Sequence, residues 1–528
     1  MIFGQLLTFL RKEPKMTKKL FILLVLLLAS APVFAQSVDT AWVRRYDGPG
    51  NLSDEANDIV VDDSGNVYVT GKSYGDRTDY DFATIKYYPN GDTAWVRRYN
   101  GLANSTDSAS AIAVDDSGNV YVTGYSWGSG TQDDYLTIKY YPDGDTAWVR
   151  RYNGPGNDYD QANAIAVDGS GNVYVTGWSW DTLYDGSLYA TIKYYPNGDT
   201  AWARRYSIGI PSAIAVDGLG NVYVTGEIEV TPGYDFDYAT IKYDPNGIQL
   251  WVQRYNGPGD SSDFAYAVAL DGFGNVYVTG GSYGSGTDFD YATIKYYPNG
   301  DTAWARRYNG SGDSSDFAYA MAVDGSGNVY VTGYSFGSGT HHDYATIKYD
   351  SSGNELWVRK YNGPPGNGSD LAYAIAVDGS NNAYVTGISG GGATMFDYAT
   401  IKYSSAGDSV WAKRYDGPTN SLDCASAITV NDSGDVYVTG LSAQNSTYPY
   451  NYDYATIKYV QFLCGDANKD GVVDIGDVVY LINYLFINGP APVPILHAGD
   501  ANCDEVVDVS DVVYLINYLF VNGPEPCC

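Results

Sequence analysis

Asn66-Val67-Tyr68-Val69-Thr70-Gly71 is one of eight near-copies of a hexapeptide, and their closing glycines are Gly71, Gly124, Gly177, Gly226, Gly280, Gly333, Gly387 and Gly440. The steps between these glycines are 53, 53, 49, 54, 53, 54 and 53 residues. Self-similarity at a period of this size marks an architecture of stacked repeats. In the second copy, Ala111-Ile112-Ala113-Val114 runs into the turn cluster Asp115 to Asn119, and Val120-Tyr121-Val122-Thr123-Gly124 follows. β-branched and aromatic residues flanking a short Asp/Ser/Gly/Asn loop predict a hairpin. Further on, Tyr135 to Tyr140 and Thr146 to Tyr152 flank the turn Pro142-Asp143-Gly144, so each period holds four strands in two hairpins and no helix.

Four antiparallel strands per period are what a β-propeller blade requires, since a single such sheet buries both faces only when neighbours stack on it radially. A β-solenoid uses shorter coils with parallel pairing and has no need of a tight turn twice per period. The expectation is therefore an all-β, eight-bladed propeller over residues 36–460. The chain supplies an orphan outer strand at Ala41 to Tyr46, and the last unit ends at Tyr459 without one, so the N-terminal strand is expected to complete the eighth blade and close the ring. The small alanines of the first strand suit the crowded axis, and Arg and Lys on the outermost strand suit an edge that must resist pairing with another chain. The tyrosines are read as packing between blades with a hydroxyl at the rim.

Asp168 to Gly177, Asp-Gly-Ser-Gly-Asn-Val-Tyr-Val-Thr-Gly, resembles the SBBP repeat of bacterial exported proteins, and its strand-turn-strand core is similar to NHL-type repeats. That family is named for seven-bladed propellers, whereas eight copies stand here; Asp435 replaces the Asn of the motif, Ala383 its first Val, and the fourth unit shortens the approach to its first strand to Ser207 to Pro211. The resemblance implies a binding or scaffolding surface with no common catalytic activity. A ligand site is expected where the copies disagree, in the loops after the motif such as Tyr125 to Asp133 and Glu227 to Asp237, and in those before the first strand.

Both ends depart from the pattern. Lys18 and Lys19 precede an apolar run from Leu20 to Leu28 and small residues up to Ala35, the form of a secretory signal peptide (residues 1–35) cut after Ala35. Beyond it, 26 basic and 61 acidic side chains give a net charge near −35, which argues against nucleic acid or an anionic membrane as partner; no later run is apolar enough for membrane insertion. Twenty-three of those 26 cations sit in the Ile-Lys-Tyr and Trp-Val-Arg-Arg-Tyr segments. Cys464, Cys503, Cys527 and Cys528 cluster in the last 65 residues, which reads as disulfides stapling a small module; with a vicinal bridge set aside, two pairings remain, and Cys424 is left over as a buried small hydrophobe.

That module, residues 461–528, carries the metal chemistry. Asp466, Asn468, Asp470, Asp474 and Asp477 stand at positions 1, 3, 5, 9 and 12 of a loop with Gly471 at position 6 and the carbonyl of Val472 at position 7. Ca²⁺ is a hard cation that takes six to eight oxygens, and this is the EF-hand spacing, with Asp in place of the usual Glu at position 12. The arrangement returns 34 residues later as Asp500, Asn502, Asp504, Val506, Asp508 and Asp511, each loop being followed by Val-Val-Tyr-Leu-Ile-Asn-Tyr-Leu-Phe. Two calcium sites follow. Duplicated loop-plus-helix units without an entering helix resemble a type I dockerin, which implies folding on Ca²⁺ and docking of the paired helices onto a cohesin-like partner, in two orientations if the halves are near-identical. Glu505 stands where glycine normally takes the left-handed conformation, a cost of about 1–2 kcal/mol, so the second site is expected to be the weaker. Positions 10 and 11 are Ile475-Gly476 and Val509-Ser510 rather than the Ser-Thr that cohesins often read.

The functional expectation is an exported, non-catalytic binding or scaffold protein attached through the calcium-dependent dockerin to a cohesin-type partner. The alternative is a glycan-binding or polysaccharide-degrading component of an extracellular complex, and a third possibility is an adhesin whose propeller loops contact protein. His341, His342 and His497 are the only histidines, and none recurs with the repeat, which weighs against catalysis.

Overall fold

A computed structural model describes residues 36–231, 235–337, 341–364, 368–390, 395–446, 451–470, 472–504, 506–521 and 523–526. The expected signal peptide, Gly471, Glu505, Cys527 and Cys528 lie outside these residues. The described residues divide into two compact units, one spanning Asp39–Val460 and one formed by those from Gln461 onward with Gln36–Val38.

In the larger unit the hexapeptide is the second strand of each repeat, and every residue in it has a physical task. Val67 to Gly71 are all buried in the strand Val67–Tyr74, between the first strand Asp54–Val61 and the third, Tyr80–Tyr87. The Tyr68 hydroxyl donates to Asp62 Oδ2 at 2.9 Å, and Asp62 also accepts from the backbone N–H groups of Ser64 and Asn66 and from Asn66 Nδ2, at 3.0, 2.8 and 2.8 Å. One carboxylate thus organises the whole turn, and Gly65 completes it at φ 76°. Thr70 meets Thr84 of the third strand at 3.0 Å. The closing glycine is fixed by a β-bulge: register slips between Ala56 and Asp58, bringing the Glu55 carbonyl to 2.0 Å from where a Cβ on Gly71 would lie. The other seven closing glycines face the same carbonyl at 1.8 to 2.2 Å.

The outer strands of this sheet have a different role from the one their charges suggest. Lys86, on the third strand, lies 5.0 Å from the Tyr68 ring and donates to the Pro142 carbonyl of the next repeat at 3.1 Å. On the fourth strand, Thr93–Tyr99, Trp95 Nε1 donates to that same carbonyl at 3.1 Å and Arg97 Nε to Gly144 O at 2.6 Å. Arg98 turns the other way, onto Asp81 Oδ2 at 2.7 Å. The expectation that these cations simply guard an open edge is corrected: a carbonyl-rich turn of the following repeat covers each outer strand, and the cations fill its acceptors. Tyrosines pack between repeats as expected, but these hydroxyls are buried rather than at the rim: Tyr135 donates to Ala190 O at 3.1 Å and Tyr454, in the last repeat, to Ala83 O of the first at 3.2 Å.

Among the described residues the strands form seven hydrogen-bonded sheets, six of four strands and one of seven. Eight separate sheets were expected, and the correction lies in the fourth unit. There the outer strand of one repeat and the first strand of the next are a single 17-residue strand, Thr200–Val216, whose first half pairs with Gly186–Tyr194 and whose second half pairs with Val222–Thr231. The shortened approach, Ser207 to Pro211, leaves no loop to break the strand. The N-terminal strand Gln36–Tyr46 pairs with Tyr452–Leu463 and completes a four-stranded sheet, and Arg45 meets Asp453 at 2.9 Å. The first strands lie side by side in sequence order, Asp54–Val61, Asp107–Val114, Asp160–Val167, Thr200–Val216, Asp263–Leu270, Phe317–Val323, Asp370–Val377 and Asp423–Val430, and the last packs against the first.

The smaller unit holds two helices, α1 (Ile475–Ile487) and α2 (Val509–Val521), packed on each other through Val478, Leu481, Val512 and Leu515 with Ala467 and Ala501 from the loops. Asp474 and Asp477 form a reciprocal capping box at the start of α1, and Asn488 ends it in the left-handed conformation.

Candidate functional site: acidic loops and the variable strand positions

The two acidic loops have matching frameworks. Asp470 N–H donates to both Asp466 Oδ1 and Asn468 Oδ1, at 3.1 and 2.8 Å, so the oxygens of positions 1 and 3 converge. In the second loop Asp504 N–H does the same with Asp500 Oδ1 and Asn502 Oδ1, at 3.2 and 3.0 Å. Position 12 closes each loop: Asp477 accepts from Asn468 N–H at 3.2 Å and Asp474 N–H at 2.9 Å, and Asp511 accepts from Asn502 N–H and Asp508 N–H at the same two distances. Asp466, Asp477, Asp500 and Asp511 are buried, while the side chains of Val472 and Val506 are exposed.

Burial pushes the Asp477 carboxyl up to about 6, with the Asp466 and Asp470 charges adding, and Asp511 is raised for the same first reason. Asp508, by contrast, is held below the ordinary carboxylate range by Ser510. Buried like charges with few cationic neighbours fit a bound cation, because a divalent ion supplies the missing counter-charge. The carboxylates do not close on one point, however. Among the described residues, the acidic triads with oxygens within 4.8 Å of one another are Asp47, Asp54, Asp453 and Asp397, Asp416, Asp423, all in the larger unit.

The loops expected to vary are shorter than their sequences suggest. Tyr125 to Trp127 continue the second strand and pair with Tyr135, Asp134 and Asp133, and Glu227 to Thr231 pair with residues from Asp235 onward. Alternation across the hairpin draws these polar and aromatic residues into strand. The sequence reading missed a second set of variable positions, the second and fourth residues of each first strand. They are Glu55 and Asn57, Ser108 and Ser110, and Gln161 and Asn163 in the first three repeats, but Phe264 and Tyr266, Phe317 and Tyr319, and Leu371 and Tyr373 in the fifth to seventh. Tyr319 stands 5.4 Å from Tyr266 and 5.8 Å from Tyr373, and Phe289 lies 5.6 Å from Phe264 and 4.7 Å from Phe317, giving a continuous half-buried aromatic arc. The signal was present in the sequence as the two residues that change around an Asp-x-Ala-x-Ala kept in six of the eight units.

Four-stranded antiparallel sheets in sequential contact, joined in one chain to paired helices with duplicated acidic loops, define a propeller-like binding protein with a small helical module. The SBBP beta-propeller repeat family matches residues 41–77, 94–130, 147–185, 201–233, 250–289 and 303–339, and the dockerin type I domain family matches residues 464–520. The chain is an SBBP beta-propeller repeat protein with a C-terminal type I dockerin domain. Type I dockerins bind calcium and cohesins and occur in extracellular or cell-surface complexes; neither module is typically catalytic. An uncharacterised WD repeat-containing protein of Acanthamoeba polyphaga mimivirus is 30% identical over 112 residues, 18% of this chain and 8% of that protein, so the chain spans under a tenth of that relative's length. Among solved structures, the Dos1 propeller superposes with a TM-score of 0.48 at 8% identity, covering 81% of this chain and 95% of that one. A protein of unknown function from Bacteroides caccae gives 0.32 at 13% identity, covering 53% and 89%. No described helix is long and apolar enough to cross a membrane.

Proposed function

We propose that this protein is an exported, non-catalytic binding scaffold in which an eight-bladed propeller (residues 36–460) is tethered by a dockerin (residues 461–528) to a cohesin-like partner. The observation that carries this reading is the doubled apolar surface of the helices. Ile475 and Val509 are 51% and 54% exposed, Phe486 and Phe520 67% and 66%, and Ile487 and Val521 68% and 67%. Equivalent residues with equal exposure on both helices support two interchangeable docking faces. Calcium is assigned to Asp466, Asn468, Asp470, Val472, Asp474 and Asp477, and to Asp500, Asn502, Asp504, Val506, Asp508 and Asp511. Eight blades are supported by the eight first strands that close on themselves, with Thr200–Val216 shared between two blades. Export through residues 1–35 is supported by Cys464 and Cys503, both disulfide-bonded, a state that persists in oxidising compartments.

The test is capture of the full chain on immobilised type I cohesins. Retention in calcium, loss in chelator and loss in a Phe486→Ala/Phe520→Ala double variant are the expected results; calcium-independent retention sinks the reading. A second reading, a glycan-binding component, rests on the aromatic arc, whose ring faces suit the apolar face of a sugar. Glycan-array binding that Tyr319→Ala abolishes would select it.

A further inference from the structure

The recurring polar cluster between repeats leaves a carboxylate oxygen without a donor, and at one place the chain adds a third acid beside it. In five repeats an aspartate on the third strand pairs with the second arginine of the outer strand (Asp81 with Arg98, Asp134 with Arg151, Asp290 with Arg307, Asp397 with Arg414 and Asp453 with Arg45), and the aspartate that opens the next first strand accepts from the glycine N–H six residues before it. In the seventh repeat these are Asp397, which accepts from Arg414 Nη2 at 2.7 Å through Oδ2, and Asp423, which accepts from Gly417 N–H at 2.7 Å through Oδ2. Asp397 is 5% and Asp423 1% exposed, and Oδ1 of each is buried without a hydrogen-bond donor. The donorless oxygen recurs at Asp81, Asp134 and Asp290, so the fold itself creates it.

The third residue distinguishes this place. Position 416 is Asn in the equivalent units, where Asn100, Asn153, Asn256 and Asn309 donate through Nδ2 to the side chain four residues on, at 2.8, 2.8, 2.8 and 3.0 Å. Asp416 has no proton to give, and its carboxylate lies within 4.8 Å of those of Asp397 and Asp423 while remaining exposed. One other unit carries Asp here, and there the acceptors are filled: Asp54 Oδ1 takes the Tyr74 N–H at 3.1 Å, and Asp453 takes Arg45 and the Gln444 amide.

We propose that Asp397, Asp416 and Asp423 form a calcium site in the propeller, separate from the dockerin loops. Three carboxylates and the Arg414 guanidinium leave a local charge of −3 + 1 = −2, which one divalent cation neutralises. Oxygens up to 4.8 Å apart can share one ion at the usual Ca–O distance of about 2.4 Å. Solvent on the Asp416 side completes the coordination, and a half-open site of this kind binds in the range of about 0.1–1 mM.

Equilibrium dialysis of the full chain against radioactive calcium tests the site as a difference, so the number of dockerin ions cancels. Asp416→Asn, the residue its sister units carry, and Asp416→Ala should each bind one ion fewer per chain than the wild type. Asp47→Asn should bind the same number, because that cluster is closed by Gln444. In parallel, calcium should raise the melting temperature of the β-sheet transition in the wild type and leave it unmoved in Asp416→Asn. Equal stoichiometry in wild type and either Asp416 variant, or an equal loss in Asp47→Asn, overturns the proposal.

Discussion

The turns of the propeller and the loops of the dockerin are built from the same few residues, Asp, Asn, Ser and Gly, and they solve the problem of a carboxylate in opposite ways. Asp115 is the propeller case. Burial alone would raise its carboxyl, but Asn119, Tyr121 and the Ser117 N–H outweigh burial and hold it below its ordinary value. Every acceptor is met by the protein, and nothing is left for an ion. Asp477 is the dockerin case: burial wins, nearby aspartates add to it, and the carboxyl is pushed up to about 6. An acid-rich turn therefore signals calcium only where the surrounding donors are too few to satisfy its oxygens.

The largest expected consequence is that chelation unfolds the dockerin and leaves the propeller standing. Each site filled at about 100 times its dissociation constant contributes roughly 2.7 kcal/mol, a large share for a module of this size. Far-ultraviolet circular dichroism and limited proteolysis with chelator should report loss of α1 and α2 while the sheets stay folded, their melting lowered only by loss of the Asp416 site; helix retained in full contradicts the comparison. The reverse perturbation is Gly124→Ala. Its methyl would meet the Ser108 carbonyl at 2.0 Å, so urea titration should show the propeller destabilised by about 3 kcal/mol with no change in calcium binding.

A smaller effect sharpens the propeller side. Tyr121→Phe removes the 2.8 Å bond to Asp115 and should cost about 1.5 kcal/mol, the same with and without calcium. The smallest is a pH effect of opposite sign in the two regions. Asp54, Asp107 and Asp160 are pushed up to about 6, chiefly by burial, against about 3.9 in an unfolded chain. The folded propeller binds more protons between those values, so this contribution is full below about pH 4 and is lost as pH rises through 6. The metal-binding loops need the ionised carboxylate, so calcium affinity should weaken as pH falls through 6. Melting and calcium titration at pH 5 and pH 7 check both signs.

Much of the fold was legible because repetition amplifies weak signals. The four strands of each repeat, their order from first to outer, and the closing role of the strand expected at Ala41 to Tyr46 follow from pattern alone. The fusion across Ser207 to Pro211 was visible as a shortened segment, yet whether five residues make a turn or an unbroken strand depends on where the neighbouring sheet lies. The basic residues were misread for a similar reason. Arg97 looks like an edge guard until the next repeat places the Gly144 carbonyl against it. In the dockerin, ligand spacing is local and therefore readable, whereas the equal exposure of Phe486 and Phe520 required the helices to be packed.

By itself the sequence determined the repeat, the all-β class, the duplicated acidic loops and the family, because each depends on residues close in the chain or recurring at a fixed step. Only the tertiary structure decided that Gly71 is held by a bulge carbonyl, that the variable positions gather as one aromatic arc, and that Asp397, Asp416 and Asp423 share a point in space. The physical reason is range: hairpins and loop ligands are fixed by neighbours a few residues away, while contacts between strands are set by sheet register and by the packing of one repeat on the next.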